Sequence, residues 1–135
     1  MPASIDRMNP SALPDAGKVG YSQISIAHPG PLAFVSGQVA WRADGAPAPA
    51  SLTEQTAIVV ENLKGARDAL QATTDDIVQM RSYLTDLREQ TQEIAMGAIL
   101  RFLDGAQPSL TGIGVNALAG PNLLIEVEMV VQIAA

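Results

Sequence analysis

Apolar positions along the chain follow two spacings. Residues 21–27 alternate, with Ser22, Ile24 and Ile26 separated by smaller or polar neighbours. Residues 32–39 follow as a second strand beyond His28-Pro29-Gly30-Pro31, so the two segments predict a hairpin. Residues 77–85 alternate again, with Val78, Met80, Ser82 and Leu84 on one face and Ile77, Gln79, Arg81 and Tyr83 on the other. Residues 109–118 and 122–134 predict two more strands, divided by Ala119-Gly120-Pro121-Asn122, and residues 4–8 predict a short edge strand. Helical spacing appears twice. Ser51-Leu52-Thr53-Glu54 has the form of a capping box, and Ala57, Val60, Leu63, Ala66 and Leu70 continue it as a helix ending near Ala72. A second helix runs from near Glu89 to Leu103, with Ile94, Ala98, Phe102 and Leu103 as its core face, and Asp104-Gly105 ends it.

The predicted order is β-β-β-α-β-α-β-β in one domain spanning residues 1–135. Two helices cannot cover both faces of such a sheet, so an α+β arrangement with both helices on one face is expected. The uncovered face carries too few polar residues for water alone. Charged residues make up only 16% of the chain against 47% hydrophobic, which also points to burial by sister subunits.

Charge and composition narrow the chemistry further. A formal charge of −6 with scattered basic residues argues against a nucleic-acid partner, because phosphate binding needs clustered Lys and Arg. There is no cysteine and a single histidine, so thiolate chemistry, disulfides and a transition-metal site are not expected. No apolar run reaches membrane-spanning length, and no signal peptide is visible, so a cytoplasmic protein is expected.

Five short motifs stand in a telling order: Gly20-Tyr21-Ser22-Gln23, Val35-Ser36-Gly37-Gln38, Glu54-Gln55-Thr56 with Glu61-Asn62-Leu63, Tyr83-Leu84-Thr85-Asp86, and Ile125-Glu126-Val127-Glu128. Each is weak alone. Together they resemble the RidA/YjgF family of small enamine/imine deaminases, over most of the chain. The resemblance implies a chorismate-mutase-like fold with one mixed sheet. It also implies a homotrimer whose sheets form a central barrel, with a cleft at each subunit boundary, a small-molecule ligand and no cofactor.

The resemblance also assigns roles. Glu126 matches the glutamate that positions the water attacking the imine carbon, while Tyr21 and Ser36 match residues that orient the ligand. The chain departs from the family at Pro108-Ser109-Leu110-Thr111, where Leu110 replaces the arginine that holds the substrate carboxylate. An arginine-lacking subgroup is therefore expected. Leu110, Gly112, Gly114 and Asn116 share one strand face, and Gly112 with Leu110 would line the ligand. The two glycines fit either the close approach of a neighbouring subunit's backbone or a roomier, more apolar pocket. Three readings of function stay open: hydrolysis of a reactive imine or enamine, a non-catalytic ligand-binding module that kept the trimer, and ribonuclease activity as attributed to some relatives.

Overall fold

The computed structural model describes residues 5–134. The strands are β1 (Asp6–Met8), β2 (Ile24–Ile26), β3 (Leu32–Gln38), β4 (Ile77–Leu84), β5 (Ser109–Gly114) and β6 (Ile125–Gln132). Helix α1 (Leu52–Ala69) lies between β3 and β4, and α2 (Glu89–Leu103) between β4 and β5. Short 3-10 helices occupy Ala16–Val19 and Thr74–Asp76. The element order is the expected one. Residue 4 of the predicted first strand lies outside the described residues.

Four strands form a mixed sheet in the order β3-β6-β4-β5. Strand β6 runs antiparallel to both β3 and β4, while β4 and β5 are parallel and joined through α2. The predicted hairpin between residues 21–27 and 32–39 does not form. Strand β2 instead pairs with β1, and β3 pairs with β6. Gln132 explains the redirection: its side chain accepts the His28 N–H at 3.0 Å and donates to the His28 carbonyl. Pro29 and Pro31 have no N–H to build a hairpin ladder there. The β1–β2 ribbon reaches the main sheet through a bridge between Ser22 and Ser109, and Ser25 Oγ accepts the Ser109 N–H at 3.1 Å.

Both helices cover one face. Val59 and Leu63 of α1, with Ala95, Ile99, Phe102 and Leu103 of α2, pack on Met80, Leu84, Ile125, Val127, Met129 and Val131. Ser51 caps α1, with the Glu54 N–H donating to Ser51 Oγ at 3.1 Å, but the Glu54 carboxylate reaches back to the Ser51 hydroxyl at 3.0 Å rather than to its backbone N–H, so only half of the expected capping box forms. The predicted core faces are corrected in part. Ala57 and Ile94 are exposed, and Val60 and Ala98 only partly covered. These four line a groove of about 580 Å³ between the helices, on the side away from the sheet. Ile77 was expected opposite Met80, yet both are buried, because the β4–β6 register shifts between Ile77 and Gln79. The last two strands are also shorter than predicted.

The other sheet face is bare. It presents Leu32, Phe34 and Ser36 from β3, Gln79, Arg81 and Tyr83 from β4, and Glu126, Glu128 and Val130 from β6. Phe34 is 77% exposed.

Candidate functional site

Glu126 projects to the bare face because Ile125 and Val127 on either side are fully buried on the helix face. Its carboxyl group lies over Gly37. A Cβ at Gly37 would stand 2.7 Å from Glu126 Cγ and closer still to the carboxylate. Val-Ser-Gly-Gln therefore needs its glycine so that the Glu126 side chain can settle on the β3 backbone. A pocket of about 370 Å³ surrounds this point, lined by Gly37, Gln38, Trp41, Asn62, Leu123 and Glu126. Asn62 of α1 donates to the carbonyls of Val39 at 3.2 Å and Trp41 at 2.9 Å, which fixes the segment carrying Trp41. Among the described residues Glu126 makes no ion pair.

Beside it on the same face, the Tyr83 hydroxyl donates to the Glu128 carboxylate. That bond favours the protonated phenol and holds the Tyr83 pKa above its ordinary value, with burial adding to the effect. Arg81 lies 3.8 Å from the same carboxylate. Ser36, Arg81 and Glu128 share a second hollow of about 340 Å³ with Phe34. The strand register pairs Glu128 directly with Arg81.

Leu110 and Gly112 take the opposite face. Leu110 is in register with buried Met80 and packs on the edge of the core. A Cβ on Gly112 would meet Gln92 Nε2 of α2 at 3.1 Å, and one on Gly114 would meet Leu87 Cβ at 3.1 Å. The space left by the two glycines is thus filled from within the chain, by a glutamine amide and a leucine. Within one copy, the two exposed glycines are thus bordered by polar Gln92 and apolar Leu87. Tyr21 is half-buried and follows the first 3-10 helix, next to the Ser22 bridge to β5. One copy of the chain therefore brings Ser36 and Glu126 to one face, and Leu110 and Gly112 to the other side of the sheet. Tyr21 stands by the β5 edge. Gln92 and the Arg81–Tyr83–Glu128 network were missed: Tyr83 and Glu128 stand in two separate motifs, and only strand register and helix packing bring these residues into place.

Among the described residues no cluster of His, Asp or Glu is arranged to hold a metal ion, and no helix is long and apolar enough to cross a membrane.

Residues 12–133 match the family model described as Endoribonuclease L-PSP. The chain belongs to the RidA/YjgF family. A curated relative, the RutC family protein YjgH of Escherichia coli, is 37% identical over 98 residues, covering 73% of this chain and 74% of that protein. Among solved structures, the Rid-family protein YyfB of Yersinia pestis superposes with a TM-score of 0.88 at 32% identity, covering 96% of this chain and 99% of that one. It is described as a protein of unknown function. A Mycobacterium tuberculosis member of the YjgF/YER057c/UK114 family shares the fold, with a TM-score of 0.64 at 24% identity over 96% of this chain and all of that one.

Proposed function

We propose that this RidA-like chain hydrolyses a small, carboxylate-free imine or enamine at clefts shared between copies in a homotrimer. The observation that carries the reading is the Glu126 carboxylate, seated on Gly37 in a pocket it shares with Trp41 and unpaired with any cation of the described residues. Such a group can orient a water and accept its proton as the oxygen bonds to the imine carbon. The C=N electrons pass to nitrogen, which is protonated, and collapse of the carbinolamine releases a carbonyl compound and an amine or ammonia. No cofactor takes part, because the C=N bond is already activated.

Assembly supports the cleft. The bare face is more polar than expected, with Ser36, Gln79, Arg81, Tyr83, Glu126 and Glu128 on it, but Phe34 and Leu32 expose an apolar patch at β3, and burying such a patch favours subunit association. Glu126 and Ser36 of one copy would then meet the β5 edge of a neighbour, with its Tyr21, Leu110 and Gly112. Leu110 and the neutral Gln92 amide offer no charge to a carboxylate. A buried carboxylate without a partner costs several kcal/mol, so the favoured substrate is neutral at that end.

The test offers 2-aminoacrylate-type imines and carboxylate-free analogues side by side in a coupled assay. Turnover of the neutral analogues, lost in Glu126→Gln, supports the reading. Equal turnover in Glu126→Gln refutes it. Binding of the neutral analogues without turnover would instead make the chain a ligand-binding module. Cleavage of single-stranded RNA that survives stringent purification would favour the nuclease that the family model's description names.

A further inference from the structure

Behind the Tyr21-Ser22 segment lies a further, polar pocket of about 430 Å³, bounded by Arg7, Asn9, Ser22, Asp75 and Gln107. It shares no lining residue with the Glu126 pocket. Its volume is within the range of small-molecule sites.

Arg7 enters from β1 and is fixed in place. It donates from one terminal nitrogen to Ser25 Oγ at 3.0 Å and from the other to the Asp75 backbone carbonyl at 3.2 Å. A guanidinium has five N–H donors, so most of this one's capacity is unspent. Partial burial lowers its pKa, and the nearby Asp75 charge opposes that shift. Among the described residues no carboxylate lies within ion-pair distance of Arg7, and the Asp75 carboxylate has no ion-pair or hydrogen-bond partner. A cation and an anion thus share one hollow without touching. In the wall between them Ser22 is only 2% exposed, and its hydroxyl has no partner among the described residues. Leaving such a group unsatisfied is costly. Gln107 spends its amide N–H on the Gly17 carbonyl at 3.3 Å, which leaves its oxygen free to accept.

We propose that this pocket binds a small zwitterion of the α-amino-acid type, with its carboxylate on Arg7 and its ammonium toward Asp75. A simple anion placed here meets the Asp75 carboxylate, and a simple cation meets Arg7. Only a ligand carrying both charges in close succession satisfies both walls. The Gln107 oxygen supplies a further polar partner. Ser22 directly follows Tyr21, so an occupied pocket braces the segment that carries Tyr21.

Calorimetric titration of the full chain with glycine, L-serine and L-glutamine, against acetate and methylammonium, tests this. The amino acids should bind at least tenfold more tightly than either single-charge analogue. Asp75→Asn, whose side chain holds nothing in the fold, should remove that preference. Glu126→Gln should bind as the wild type does. The proposal is overturned if the folded protein binds none of the three amino acids. It is also overturned if acetate binds as well as they do and Asp75→Asn changes nothing. Loss of binding in Glu126→Gln would move the ligand to the other pocket and refute the proposal as well. Failure here leaves imine turnover untouched, so the two readings fall separately.

Discussion

Gly37→Ala isolates the position of Glu126 from its chemistry. The added Cβ would stand 2.7 Å from Glu126 Cγ, whereas non-bonded carbons settle at about 3.5–4.0 Å. The side chain must therefore withdraw by about 1 Å. The three nearest atoms all belong to the Glu126 side chain rather than to backbone, so the clash is relieved by rotation, at a cost of about 1 kcal/mol for a strained rotamer. Displacing a reacting group by about 1 Å costs on the order of 100-fold in rate, equivalent to about 2.7 kcal/mol of barrier. The expected phenotype is a folded protein with a slightly lowered melting temperature and turnover of a carboxylate-free imine reduced about 100-fold. Thermal unfolding and the coupled assay on one sample read both. Wild-type turnover in Gly37→Ala, alongside loss in Glu126→Gln, would show that the carboxylate does not act from its seat on β3, and the reasoning would fail.

Other expectations concern assembly, pH and the loop. Phe34→Asp should lower the solution mass from three chains to one by light scattering, and an unchanged mass would remove the bare face from the interface. The raised Tyr83 pKa means that its bond to Glu128 stabilises the fold fully below the ordinary tyrosine value of about 10 and is lost as pH climbs through the folded value. Wild type should therefore lose stability more steeply than Tyr83→Phe in chemical denaturation above pH ~10, and parallel profiles would contradict the assignment. Asn62→Ala removes two hydrogen bonds to loop carbonyls and should cost about 1–3 kcal/mol. Amide exchange should quicken around residues 39–42, and unchanged exchange there would show that the loop is held by other contacts.

Local signals read well where neighbours along the chain decide the structure. Ser51 and Glu54 marked the start of α1 because a cap is built within one turn, and the alternation of β6 marked Glu126 as opposite in face to Ile125 and Val127. Reading failed where distant segments compete. The turn at His28-Pro29-Gly30-Pro31 looked like a hairpin, but Gln132, far along the chain, captures His28. Each helix carries two apolar stripes. Periodicity could not tell that Val59, Ala95 and Ile99 face the sheet while Ala57, Ile94 and Ala98 line the outer groove. Of the candidate site, the motifs located Ser36, Gly37 and Glu126. They did not reveal that Gly112 yields its space to Gln92, since that depends on how α2 lies over β5.

The contact between Gln92 and Gly112 has an evolutionary consequence. Strand β5 lies at the margin of the sheet, and its helix-side surface is furnished by a residue borrowed from α2. An exchange at position 92 can retune polarity at that margin without disturbing a single ladder bond. Divergence in ligand preference among close relatives of this chain is therefore expected to accumulate on the helix, while the strand beneath stays constant.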